Sequence, residues 1–465
     1  MIIKNIFKII LFQQLFMFIF KKKSSKLINN FDKITLDKGS LRGNIRVSGD
    51  KSISQRALII GLASIGETVI EGILDSEDVF YTLKAVEALG AKINIKKSQK
   101  LLTINGVGIG NLVSPKKPIY MGNSGTGARL LIGLVAGSNA TVTFYGDDSL
   151  SNRPMDRIID PLKKMGASFI LSGEKKLPIT VIGARVKGIT MPIKYKTPVA
   201  SAQIKSAIIF AGLTARGITC IEEPYKSRNY TEKMLKKCGV VITSKINKKF
   251  INTIKIKGKD YLKNCNFLIP GDPSSAAFIV VAALIMKGSK VKITNILNDN
   301  MRLKVFKILQ KMGGKIKINK ISSDKCEIIA EYSYLKNIHL KKNDSTSLID
   351  EFPILSIAAA CGKGKMVMRG LGELRFKESD RFAAISQGLK KCGVDVKTYG
   401  DDIEILGAKK ITGDSIIHSN KDHRVAMSFN VLNLVVEKPI KVIGNDAIIS
   451  SFPNFFCTLK SLKHE

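Results

Sequence analysis

Two carboxylates and a set of cations stand where apolar stretches of this chain begin. Lys51, Ser52 and Arg56 lead into "RALIIGLAS", and Asn123, Ser124, Gly125, Thr126 and Arg129 lead into "LLIGLVAG". Arg153 follows in "SNRPM", Ser201, Ala202 and Gln203 open "SAQIKSAIIFAGL", and Ser227 lies in "KSRNY". Asp350 and Glu351 precede "FPILSIAAAC", Lys377, Glu378 and Arg381 form "KESDR", and Asp422, His423 and Arg424 open "DHRVAMSF". Arginine forks suit phosphate and carboxylate, and carboxylates or imidazole set among them can move protons. The chemistry implied is binding of polyanions coupled to proton transfer. Each group alone has a plainer reading: Lys51–Ser52 and Asp350–Glu351 as helix caps, "GNSGTGAR" as a turn, Lys377 and Arg381 as one solvated helix face, and His423 as a packing residue.

Recurrence favours the chemical reading. "GDKSISQRALIIGLASIGETVIEGI" at 49 is echoed by "GDPSSAAFIVVAALIMKGSKVKITNI" at 271, and related segments start at 122, 197, 349 and 421, a spacing of 72–78 residues. Between them recurs an amphipathic helix with a glycine turn and a strand, as in "TLKAVEALGAKI", "IIDPLKKMGASF" and "KVFKILQKMGGKI". Self-similarity at a fixed period implies a repeated structural unit, here six α/β units, three per domain. The first helix type is apolar all round and is predicted to be buried; the second is predicted to be half exposed, with glycine at C′. Buried helices whose N-termini meet at one cleft offer unpaired N–H groups and positive dipole ends to an anion. "GDKS" is not a nucleotide loop, because the glycine pattern of G-x-x-x-x-G-K-[ST] is missing.

The 465 residues suit two domains. Seven scattered cysteines without a C-x-x-C pair, and four dispersed histidines, point to a reducing, cytoplasmic setting with no disulfide framework and no metal site. The net charge of +37 comes from lysines spread along the chain without a nucleic-acid-binding signature. It is read as solvated faces that attract a small anion, with no nucleic-acid partner. Near the start, "NIFKIILFQQLFMFIF" is interrupted by Lys8, Gln13 and Gln14 and is shorter than a membrane span needs. Residues 1–33 are read as an extension outside the fold, disordered or ahead of the native start, and no membrane partner is expected.

Taken in order, "SGDKSISQRAL", "GNSGTGAR", "SNRPM", "SAQIKSA", "PGDPSSAAF", "IDEFPIL", "KESDR" and "DHRVAMSF" resemble the 3-phosphoshikimate 1-carboxyvinyltransferase (EPSP synthase) family, from about Ile34 to "SFPNFF". The resemblance implies a two-domain inside-out α/β barrel, with residues 34–49 plus 269–465 in one domain, 50–268 in the other, and hinge crossings near 49 and 268. It implies transfer of enolpyruvate from phosphoenolpyruvate to the 5-hydroxyl of shikimate 3-phosphate through a tetrahedral intermediate, by a monomer without cofactor or metal. By matched position, shikimate 3-phosphate meets Lys51, Ser52, Arg56, Ser201, Ala202, Gln203, Ser227, Asp350 and Lys377. Phosphoenolpyruvate meets Lys51, Gly125, Arg153, Gln203, Arg381 and Arg424. Asp350 is the expected base on the hydroxyl and Glu378 the acid and base at the methylene, with Lys51 and His423 assisting.

Two positions depart from the family pattern. Ser450 stands where many members have a lysine, which removes a cation. Ala202 replaces a second serine, and Arg228 beside Ser227 is placed to compensate. Gly125 leaves room beside the small substrate, so sensitivity to glyphosate is expected. The sister family acting on UDP-N-acetylglucosamine is the alternative; its loop cysteine is missing between residues 106 and 129.

Overall fold

The computed structural model describes residues 39–96, 101–341 and 344–463; the extension read at residues 1–33 lies outside them. Six apolar helices organise the chain: α1 (Lys51–Ala63), α2 (Gly125–Ala136), α3 (Ala202–Gly212), α4 (Pro273–Ile285), α5 (Phe352–Ala360) and α6 (His423–Leu432). Nearly every residue in them is buried, as all-round apolarity requires. Five of the six start at a side-chain cap. Asp50, Ser124, Ser201, Asp272 and Asp422 each accept a backbone N–H from the first turn. In α2, a Cβ at Gly133 would lie 2.4–2.7 Å from the backbone of Ala207, so glycine there lets α2 and α3 touch.

Around these helices the described residues form six sheets, one per unit. The fullest have four strands: three antiparallel ones, the last in sequence lying between the other two, plus one parallel edge strand, as in Ile119–Tyr120 beside Thr141–Tyr145. The fifth keeps three strands and the sixth only Ile416–His418 and Lys441–Ile443. The last unit uses its remaining length for a helix, Phe455–Ser461. Amphipathic helices cover the outside, and Gly90, Gly166, Gly239, Gly313 and Gly393 follow them with φ between +79° and +111°, the left-handed C′ position expected of glycine.

The apolar side chains form two cores. One contains Leu41, Val47 and residues from Ala276 to Leu462. The other runs from Ile53 to Ile269, with Leu297. Two strands are exchanged between them. Arg42–Arg46 joins the sheet of Lys290–Leu297, while Phe267–Leu268 joins that of Glu67–Glu71. The chain therefore crosses twice from lobe to lobe. The crossings lie side by side, with Gly49 bridged to Gly271, the Asp50 N–H donating to the Pro270 carbonyl (2.8 Å), and the Asp272 N–H donating to the Ser48 carbonyl (3.0 Å).

Candidate active site

The N-termini of α1, α2 and α3 in one lobe and of α5 and α6 in the other bring the polar entrances to the cleft between the lobes. Arg381 is the centre of the second lobe's contribution and is fully buried. Its guanidinium donates to Asp422 (2.8 and 3.3 Å) and to Glu378 (2.5 Å), and it lies 3.5 Å from an oxygen of Asp350. Arg424 donates to the Asp350 carbonyl at 2.8 Å, and Lys377 stands 4.0 Å from the Asp350 carboxylate. His423, buried in the first turn of α6, places Nδ1 3.3 Å from Ser450 Oγ, while its Nε2 has no hydrogen-bond partner among the described residues.

From the first lobe, Arg153 points at Glu378 (3.9 Å) and is held by Asn123 and Ser149; the Ser149 hydroxyl also donates to the Glu378 carbonyl at 2.7 Å. Gln203 is fixed between Arg129 (2.8 Å) and Thr126 (2.9 Å). Gly125 lies against Arg153 and Arg129, where a Cβ would come within 2.6 Å of an Arg153 nitrogen. Lys51 forms an ion pair with Asp78 at 2.7 Å. Ser52 occupies the first turn of α1, while Ser201 caps α3 and Ala202 begins it. A cavity of about 520 Å³ opens at the lobe junction, lined by Arg153, Lys377, Glu378 and Lys421 among others.

Two expected contacts are engaged inward instead. Ser227 gives both its backbone N–H (2.9 Å) and its hydroxyl (2.7 Å) to Glu223, so that hydroxyl proton is not free for a phosphate. Arg56 donates to the Ser52 carbonyl, Thr231 and Ser206 and is almost fully buried. The group that reaches the cleft beside Ser227 is Arg228, 2.7 Å from Asp350 in the other lobe. Beneath it, Glu223 also accepts from Lys205 (3.0 Å) and Asn252 (2.7 Å), and Lys205 pairs with Glu232 at 2.9 Å.

Sequence reading missed Glu223, Lys205, Asp78 and Arg302. A signal existed for two of them. Glu223 continues the inward-facing series Thr219, Ile221 along its strand, and Lys205 interrupts an apolar helix.

Charge is balanced with a bias toward ionised carboxylates. Burial pushes Asp350 up, but Arg228, Arg424, Lys377 and Arg381 outweigh it and hold the carboxyl well below its ordinary range. Glu378 is likewise held well below, burial being overcome chiefly by Arg381 and Arg153. Burial, reinforced by Lys51, drives His423 well below 6.5, so its imidazole is neutral. Burial, followed by Arg153, lowers Arg129 to about 10.

Two lobes of three α/β units, with an arginine-rich cleft holding paired carboxylates between them, define a transferase of the enolpyruvyl-transfer type. The EPSP synthase (3-phosphoshikimate 1-carboxyvinyltransferase) profile matches residues 36–459. A 3-phosphoshikimate 1-carboxyvinyltransferase of Rhodopseudomonas palustris (strain BisA53) is 44% identical over 428 residues, 91% of this chain and 95% of the relative. One from Bradyrhizobium diazoefficiens is 43% identical over 432 residues, 92% of this chain and 91% of that one. Among solved structures, the EPSP synthase of Acinetobacter baumannii superposes with a TM-score of 0.79 at 37% identity, covering 92% of this chain and 97% of the other. The chain belongs to the EPSP synthase family.

Proposed function

We infer that the chain transfers the enolpyruvyl group of phosphoenolpyruvate to the 5-hydroxyl of shikimate 3-phosphate, with release of phosphate. Beyond family membership, the observation that carries this reading is the pair Asp350 and Glu378. Both are half-buried carboxylates held ionised by arginines at a cleft that also presents Lys51, Arg153 and Arg228 from the other lobe. Addition needs a proton on the methylene carbon and removal of one from the hydroxyl; elimination needs the methyl proton back and the phosphate expelled.

Asp350 takes the hydroxyl proton, and Glu378 exchanges the proton at the methylene, with Lys51 and neutral His423 beside them. A carboxylate depressed so far is a poor base in the free protein. Anionic substrates change that, because each phosphate or carboxylate competes for the arginines that hold Asp350 and Glu378 down, and both carboxyls rise toward the working range. Arg153, Arg381 and Arg424, with Gly125 and Gln203, form the phosphoenolpyruvate side. Lys51, Ser52, Ser201, Ala202 and Lys377 form the shikimate 3-phosphate side; Arg228 supplies the charge there, and Arg56 and Ser227 support it from behind.

The lobes that close on the substrates are 34–49 with 269–465, and 50–268, a division supported by the two separate cores. One chain provides both halves of the site, which supports a monomer. The free cysteines suit the cytoplasm, and no described helix is long and apolar enough to cross a membrane.

Phosphate release from phosphoenolpyruvate tests the reading. Release should require shikimate 3-phosphate, and Glu378→Gln should reduce it by ~10²–10⁴-fold. A folded wild-type sample that releases phosphate only with UDP-N-acetylglucosamine, or with neither acceptor, would overturn it. Glyphosate should compete with phosphoenolpyruvate; turnover unchanged by excess glyphosate at low phosphoenolpyruvate would remove that part.

A further inference from the structure

The aspartates of the two "GD" repeats have no part in the chemistry above, yet both are buried and both face one arginine. Asp50 caps α1 and Asp272 caps α4. Arg302 reaches both: one guanidinium nitrogen lies 3.3 Å from Asp50, and another bonds Asp272 and donates to Ser274 Oγ at 2.7 Å. All three charged residues are nearly or fully buried. Arg302 is itself anchored by a turn in which Asp299 accepts the N–H groups of residues 301 and 302, and Asp299 pairs with Lys233 of the other lobe at 2.9 Å.

From this clamp, contacts run to both halves of the site. Lys51 directly follows Asp50, and its N–H is 3.4 Å from Asp272. Ser274 bonds Glu351, the neighbour of Asp350, and Glu351 is also within 3.7 Å of Arg228 and 3.9 Å of Arg424.

We propose that Arg302 is a positioning residue for the transfer reaction: by bridging Asp50 and Asp272 at the paired lobe crossings, it fixes Lys51 of one lobe relative to Asp350 of the other. The physical need is plain. Two carboxylates from chain segments that pass side by side repel in a site closed to water, and burial together with Asp272 pushes Asp50 up to about 6. One planar fork bonds Asp272 and stands at ion-pair distance, 3.3 Å, from Asp50, setting the separation of the two carboxylates, which a single ammonium does less well. Side chains that place reacting groups from a distance matter because a displacement of 1 Å costs about 10²-fold in rate.

The inference rests on the transferase reading, and wild-type phosphate release with both substrates is the control that separates the two. Two variants test it. Arg302→Met with Asp272→Asn removes the fork and one carboxylate together, and asparagine still caps a helix. The double variant should retain a wild-type Tm yet lose about 10²-fold in kcat/KM, with kcat lowered and both KM values raised, as for hinge substitutions. Arg302→Lys keeps the charge and should lose roughly tenfold. A merely structural arginine would change Tm and the folded fraction but leave kcat and both KM values per folded molecule intact. Wild-type kinetics in the folded double variant, or in Arg302→Lys should the double variant not fold, would overturn the proposal. Absence of wild-type turnover would instead remove the transferase reading.

Discussion

The entrances at 49–52 and 271–274 are two copies of one piece of structure, and they differ in the residue after the aspartate. In both, Gly-Asp ends a lobe crossing, the carboxylate caps a thirteen-residue buried helix, and Arg302 neutralises the charge. The first continues with Lys51, whose ammonium reaches the cleft and Asp78; the second continues with Pro273, which has neither a charged group nor an N–H to offer. Proline at N1 is preorganised for the helix and exposes nothing to a ligand. The cap is therefore architecture in both copies, and one side chain after it separates a binding site from a foundation.

Substituting at both positions probes this difference most directly. Lys51→Met should lower kcat by ~10²–10³-fold, the cost of losing one preorganised charge at the reacting groups. Pro273→Ala should change turnover less than about twofold, since only helix preorganisation is lost. Comparable losses from the two, measured by phosphate release, would show the second entrance to be functional as well.

A smaller effect concerns the aspartates' charge. Asp50 sits at about 6 in the folded chain against 3.8 ordinarily, pushed up by burial and Asp272 against the pull of Arg302 and Arg228. The folded state thus holds this proton more tightly than the unfolded one. Its contribution is complete below the unfolded value and is lost as pH rises through the folded value. Between about pH 4 and 6, wild type should lose about 2 kcal/mol relative to Asp50→Asn. Urea denaturation at the two pH values, with no change in the difference between the proteins, would contradict this.

The smallest effect isolates the cap itself. Asn caps as well as Asp while Ala does not, so Ala should be less stable than Asn by about 1 kcal/mol at both 50 and 272. Unequal Ala–Asn differences in denaturant midpoints would mean that the two caps are not equivalent.

Much of the architecture was legible because it repeats. Periodic apolar helices, glycine after each amphipathic helix and the recurring polar entrance all follow from local sequence. The shortened sixth sheet did not announce itself, since "KVIG" resembles the other strands and only tertiary space decides how many partners it finds. In the site, Arg381, Asp350 and Lys51 were legible as residues at or just before helix starts, and Glu378 and Arg153 as members of the polar segments "KESDR" and "SNRPM". Their partnerships were not. Ser227 reads as an open hydroxyl until the strand carrying Glu223 is placed beneath it. Arg302 lies in "NDNMRL" without a motif, and its meaning comes from two aspartates far away in sequence. Ser450, read as a missing cation, proves to be a neighbour of the His423 ring. Contacts of this kind depend on the crossing of the lobes, which local pattern does not encode.

The strand exchange also sets an order of events during synthesis. Arg42–Arg46 leaves the ribosome early, yet its sheet partner is Lys290–Leu297, and the bond from Leu41 to Ser289 spans 248 residues. At ordinary translation rates that strand waits roughly tens of seconds without its edge partner. The lobe between the crossings is made during that interval, and its first sheet is completed only when Phe267–Leu268 arrives. The earliest described strand is therefore housed only after the whole lobe between the crossings has been made, and the interval in which it can pair wrongly is fixed by topology rather than by its own sequence.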